Sequence, residues 1–172
     1  MRLVVLGWGN ESRGDDGLGP ALLARFAAAA WPETTTVEDY QLQIEHALDL
    51  EAADCALFVD AGKDTPAPFS FYRVTPRRGL THTTHALPPE AVLAVYAEVK
   101  GEAPPPAFAL CVRGESFGLG EGLSPDGAAR LEAAWEFAEA LMRERSLEAW
   151  DEMARPFLSS RRERTADGRP AA

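Results

Sequence analysis

Arg2-Leu-Val-Val-Leu6 is a continuous apolar, partly β-branched run that stops at Gly7-Trp-Gly9-Asn10, and Asp15-Asp16-Gly-Leu-Gly-Pro20 then opens the amphipathic stretch Ala21 to Ala30. A strand with no polar alternation has no face to give to water and must be covered on both sides. Acidic residues and a proline at the head of the next stretch are helix-opening signals. The first elements therefore read as a βα unit whose strand belongs inside a parallel sheet.

The alternation continues. Thr34 to Val37 reads as a second short strand ending at Glu38-Asp39-Tyr40, Ile44 to Leu50 as helical, Ala56 to Val59 as a buried strand ending at Asp60, and Phe69 to Val74 as a strand near a sheet edge. Pro88 to Lys100 has helical spacing, Phe108 to Val112 is the last strand, and Ser124-Pro125-Asp126 caps a long amphipathic helix running to about Arg145. This order predicts an α/β fold, a three-layer α/β/α sandwich around a mainly parallel, about five-stranded sheet. The 172 residues suit one domain, assigned here to residues 1–158. Residues 159–172 are polar, charged and contain Gly and Pro, so a disordered tail is expected there, preceded by a short helix near Leu147 to Phe157.

Composition narrows the partners. Lys+Arg number 17 against 27 Asp+Glu, a formal charge of −10, which opposes attraction to phosphate backbones. No basic cluster with interleaved aromatics precedes the last dozen residues, so nucleic acid is not expected as a partner. No apolar run approaches the roughly 20 residues of a membrane helix, and Met1 to Leu6 is shorter than the signal-peptide core of about 7 residues or more, so no membrane association and a soluble cytoplasmic protein are expected. Cys55 and Cys111 both lie in apolar runs and read as buried, inert thiols. Two cysteines so placed do not make a cysteine-based metal site.

In parallel α/β sheets ligands bind at the carboxyl ends of the strands. Asp15-Asp16 follows the first strand, Asp60 ends the third, and Thr81-His82-Thr-Thr-His85 enters the helix that begins near Pro88. Gly7-x-Gly9 invites a dinucleotide reading, but Ser12 stands where the third glycine belongs, and two carboxylates at the helix start would repel a pyrophosphate. Asp15 reads as a helix N-cap, which leaves Asp16 to point toward a cation. Asp60 at a buried strand end needs a cation or hydrogen-bond donors. His82 and His85 could each instead be a loop histidine bonded to a carbonyl, and His46 reads as structural or solvent-facing. Together two carboxylates and an imidazole at one sheet edge make an oxygen and nitrogen donor set with open positions. Gly114-Glu-Ser116-Phe-Gly118 matches the nucleophile-elbow pattern literally, but further glycines follow instead of a helix, and all three histidines precede Ser116. Serine hydrolysis is set aside, and the glycines read as shaping a substrate-facing loop.

Gly7-x-Gly9-Asn10, Asp15-Asp16-Gly17-x-Gly19, the strand-ending Asp60-Ala61 and Thr83-Thr84-His85-x-Leu87-Pro88 together resemble the hydrogenase maturation endopeptidases, which process the large subunit of nickel-iron hydrogenases. The resemblance spans Met1 to about Met142. It implies an α/β/α fold and cleavage of a short C-terminal extension from the large-subunit precursor once nickel has been inserted. The nickel is then supplied by the precursor and not stably held. Carried over position by position, Asp16, Asp60 and His85 are implied as the metal-contacting and catalytic residues, with His82 behind them. Many members carry a glycine-rich turn after the second strand, where this chain has Glu38-Asp39-Tyr40-Gln41-Leu-Gln43-Ile-Glu45-His46. That form resembles members devoted to particular hydrogenase classes, such as the NAD-reducing soluble kind.

Two mechanisms fit this set: nickel as Lewis acid or positioning device, or one carboxylate as general base with nickel only licensing the encounter. The alternative from another class is a nickel-recognising maturation chaperone that binds the precursor without cutting it.

Overall fold

The chain is described here by a computed structural model covering residues 1–79 and 87–166. Five strands, β1 (Leu3–Trp8), β2 (Thr34–Asp39), β3 (Cys55–Gly62), β4 (Phe69–Val74) and β5 (Ala107–Arg113), form one sheet in the order β2-β1-β3-β5-β4. β1 pairs in parallel with β2 and β3, β3 pairs in parallel with β5, and β4 closes one edge antiparallel to β5.

Every residue of β1 is buried, as its unbroken apolar sequence requires. The two-residue period of a strand divides the core. Leu3 and Val5 of β1, Leu57 and Val59 of β3, and Phe108, Leu110 and Val112 of β5 pack on one face beneath α1 (Leu18–Ala29) and α3 (Pro125–Glu144). Val4, Leu6, Trp8, Ala56, Phe58, Ala107 and Ala109 face the other way, under α2 (Pro89–Lys100) and a 3-10 helix at Ile44–Leu50. The result is a three-layer α/β/α sandwich.

Three boundaries differ from the pattern reading. β3 continues past Val59 to Gly62, with Asp60 in register with Cys111, so Asp60 lies within the strand's last turn-free residues instead of after them. α1 starts at Leu18, directly after a 3-10 turn at Gly14–Gly17, and Pro20 sits in its first turn where no intrahelical amide bond is lost. The last helix, α4 (Leu147–Ala166), is longer than the anticipated Leu147 to Phe157 and runs into the segment expected to be a tail. No glycine or proline between Leu158 and Gly168 interrupts it.

α4 is fixed by one side chain in particular. Trp150 is fully buried, its Nε1–H donates to the Leu141 carbonyl at 2.9 Å, and its ring meets Phe71 and Phe108 edge-on. Phe71 and Phe108 stack on each other across β4 and β5, with centroids 5.3 Å apart. The antiparallel edge strand is thus covered by α4. Trp150→Ala is expected to cost about 3–5 kcal/mol in equilibrium denaturant unfolding, whereas Leu158→Ala, at a site 49% exposed, should change stability by less than about 0.5 kcal/mol.

Candidate active site

The chain leaves β1 toward β2 on one side and leaves β3 toward β4 and β5 on the other, so these connections diverge and open a crevice at the carboxyl ends of β1 and β3. The 3-10 turn carrying Asp15 and Asp16 closes down on that crevice because two glycines permit it. Gly9 has φ 141°, a conformation L side chains rarely adopt, and a Cβ there would collide with the Asp16 carbonyl oxygen. A Cβ on Gly19 would collide with the Trp8 carbonyl oxygen and crowd the Asp60 Cα. The glycines spaced around Asp15-Asp16 are therefore packing contacts between the first turn of α1 and the ends of β1 and β3.

Asp16 is half-buried, and its Oδ2 accepts a hydrogen bond from the Asn10 amide at 2.8 Å. Asp60 is also half-buried, and its Oδ1 accepts from the Ala61 amide at 2.7 Å. Burial pushes the Asp60 carboxyl up to about 7; the Ala61 amide opposes this, and the neighbouring negative charge of Asp16 adds to it. The fold thus brings these two sequence-predicted residues together, and Asp60 sits near the midpoint between acid and base at neutral pH. His85 and His82 lie outside the described residues. The next described residue, Leu87, donates its amide to the Leu42 carbonyl at 3.1 Å, in the connection that follows β2. Among the described residues no three His, Cys, Asp or Glu side chains gather as a metal-binding group.

Asp15 does not act as the expected N-cap. No side chain caps the 3-10 turn or α1. Asp15 is instead fully buried and binds across the fold. Its Oδ2 accepts from the amides of Glu115 (2.9 Å) and Ser116 (3.2 Å) and from the Ser124 hydroxyl (2.8 Å), and its Oδ1 accepts from the Ser124 amide (2.8 Å). Burial alone would raise this carboxyl, but the Glu115, Ser124 and Ser116 amides and the Ser124 hydroxyl outweigh it and hold the group below its ordinary value. The glycine-rich loop after β5 is bound further by the Gly14 amide to the Glu121 carbonyl and the Gly120 amide to the Ser12 carbonyl. Ser124 caps α3 as read from sequence, accepting from the Gly127 amide at 2.9 Å. Ser116 donates to Glu121 at 2.6 Å. The one described histidine, His46, is engaged elsewhere, so among the described residues Ser116 has no histidine partner.

His46 is buried: its Nδ1 accepts from the Gln43 amide at 2.8 Å, and its Nε2 lies 3.5 Å from Asp39. The signal for this was the Gln43-x-x-His46 spacing, which forms a reciprocal capping box. Beside Asp16 opens a cleft of about 580 Å³ lined by Gly9, Asn10, Glu11, Ser12, Glu38, Asp39 and Tyr40. Cys55 is buried and its thiol is pushed up to about 12 by burial, while Cys111 is half-buried with its sulfur 3.1 Å from the Thr65 hydroxyl. Neither is in a disulfide.

These features define an α/β/α protein with paired carboxylates at its topological switch point. No protein-family model matches the chain, and no curated protein matches it by sequence. Solved structures do match. The NiFe hydrogenase maturation protease HycI from Thermococcus kodakarensis KOD1 superposes with a TM-score of 0.64 at 24% identity, over 83% of this chain and 92% of that one. The hydrogenase maturating endopeptidase HybD from Escherichia coli gives 0.66 at 23% identity, over 85% and 94%. A hydrogenase 2 maturation peptidase from a Thaumarchaeota archaeon gives 0.58 at 22%, over 82% and 98%. This chain has the fold of the hydrogenase maturation proteases.

The two buried carboxyls have opposite pH signatures. Asp60, raised in the folded state, destabilises as it ionises: Asp60→Asn should be more stable than the parent at pH 8, and the advantage should vanish as pH falls toward about 4. Asp15, lowered in the folded state, stabilises when ionised: Asp15→Asn should cost about 2–3 kcal/mol at neutral pH, a loss that shrinks as pH falls below about 4. Denaturant midpoints measured across this pH range check both signs.

Proposed function

We propose that this chain is an endopeptidase that removes the C-terminal extension of a nickel-iron hydrogenase large-subunit precursor after nickel insertion. The observation that carries the reading is the Asp16 and Asp60 pair, set at the switch point of a fold shared with hydrogenase maturation proteases. The nickel is the substrate's own. Asp16, Asp60 and His85 are assigned to grip it where it sits in the precursor, which docks the scissile bond beside the pair. No resident metal is then needed.

Hydrolysis adds water to the scissile carbonyl, breaks the C–N bond and delivers a proton to the leaving amine. In the route where nickel only licenses the encounter and Asp60 does not ligate it, the raised Asp60 carboxyl is suited to take the proton from water as carboxylate and return it to the amine as acid. Substrate nickel supplies polarisation of the carbonyl or positioning alone. Acting on a freshly metallated precursor places the protein in the cytoplasm, and among the described residues no helix is long and apolar enough to cross a membrane.

The test mixes the protein with nickel-loaded and metal-free large-subunit precursor from the same source and weighs the products by mass spectrometry. Loss of a C-terminal peptide from the nickel-loaded form alone is expected. Asp16→Asn, Asp60→Asn and His85→Ala should each abolish processing while leaving the circular dichroism unchanged; normal processing by any one removes that residue from the scheme. Binding without any loss of mass would instead assign the protein to the chaperone class.

A further inference from the structure

The connection from β2 to β3 presents an apolar ridge beside the cleft. Tyr40, Ile44 and Leu48 are 77%, 53% and 57% exposed, while Leu42, His46, Ala47 and Leu50 of the same segment are buried. The ridge is held from within: His46 binds the Gln43 amide, and the Leu42 carbonyl binds the Leu87 amide. Its outward apolar tips are thus fixed in place on a rigid segment. Tyr40 itself lines the cleft together with Asn10, whose amide binds the Asp16 carboxylate, so the ridge reaches the edge of the site.

The segment that bears this ridge carries charge of one sign. From Trp31 to Gly62 the sequence has eight acidic residues and no lysine or arginine. Glu33, Glu51 and Asp54 face the N-terminus, Lys100 and Arg2. Glu38, Glu45 and Asp49 lie along the same segment, exposed and without a Lys or Arg ion pair among the described residues, although Asp49 shares a shallow cleft with Arg2. A negative, apolar-studded face repels phosphate surfaces, and pairing it with a second copy of itself would oppose like charges. Its complement is a polypeptide segment bearing basic and apolar side chains.

We infer that the Tyr40–Asp49 face docks a basic, apolar-bearing segment of the protein substrate and so feeds the adjoining chain into the cleft beside Asp16 and Asp60. This rests on the proposed function and adds to it the chemistry by which the substrate is selected. The ridge supplies desolvated apolar contact, and the carboxylates supply steering and register.

The experiment compares the wild-type chain with Ile44→Ser/Leu48→Ser and with Glu45→Gln/Asp49→Asn, all at exposed positions, after a denaturation check that folding is intact. Processing of the nickel-loaded precursor should show KM raised about tenfold or more with kcat within about twofold. Added salt should weaken the wild type and leave the charge-neutralised variant nearly unaffected. Hydrogen exchange on the precursor should show protection of a segment rich in Lys, Arg and apolar residues. Unchanged KM in both variants, or protection of an acidic segment, overturns the inference while leaving the endopeptidase reading intact. If the wild type cuts no precursor, the endopeptidase reading fails separately, and retention of the same precursor on immobilised protein decides the docking: retention lost in both variants supports it, and equal or absent retention overturns it. Sedimentation showing a dimer of the wild type that both variants dissociate would assign the face to a second copy and also overturn it.

Discussion

The Asp15 carboxylate, fully buried and bound by three amides and a hydroxyl, is the contact on which the rest of the site depends. It ties the turn after β1 to the loop after β5 and to the first turn of α3, adding to the backbone bridge between Arg13 and Glu121 that already joins the first two. A buried charge is tolerable only when every lone pair is occupied. The geometry is correspondingly stiff, since displacing any of the three segments would strand an anion away from water. Asp16, one residue on, inherits its position from that constraint, and the Asn10 amide then sets its carboxylate toward the crevice. Gly9 and Gly19 complete the arrangement by letting backbone meet backbone where any side chain would separate them.

Asp15 and Asp60 show how one residue type is given two chemistries by its donors. Both are removed from water, and burial by itself drives both carboxyls upward. Asp15 meets four donors, which reverse the effect and keep it an anion. Among the described residues Asp60 meets only the Ala61 amide and faces a second carboxylate, so its proton is held near neutrality. The first is fixed as a structural tie, and the second is left able to exchange a proton or to meet a cation. Such separation of neighbouring carboxyls is how a site assigns acid and base roles.

The layering was legible because its cause is local. An unbroken apolar strand such as Leu3 to Leu6 states its own burial on both faces, and the alternation of Leu57 and Phe58 states which face each serves. That Asp16 and Asp60 come near one another at the carboxyl end of the sheet followed from the same order of elements, since one lies in the turn after β1 and the other ends the apolar run of β3. Asp15 was not legible in this way. Its partners lie 100 to 109 residues away in sequence, and viewed locally an acidic residue at a helix start is an N-cap. Likewise the docking of α4 hangs on Trp150 reaching Leu141, Phe71 and Phe108, contacts that no periodicity within the helix announces. His46 fell between the two cases: its spacing from Gln43 was visible, but burial by the surrounding Leu42 and Leu50 was not.

The site therefore has two parts with different freedom to vary. Around Asp15, Gly9 and Gly19 the tolerances are those of touching backbones, and a single added methyl group is enough to open the crevice. The β2 to β3 connection is constrained only on its inner side, where Leu42, His46, Ala47 and Leu50 meet the core. Its outer residues can change polarity and charge without disturbing the sheet, because none of the ridge positions Tyr40, Ile44 or Leu48 is buried. A scaffold that keeps its paired carboxylates fixed while one neighbouring connection is free to be rewritten can hold its chemistry constant and redirect what reaches it. In this chain that connection has been written as an acidic, apolar-edged surface.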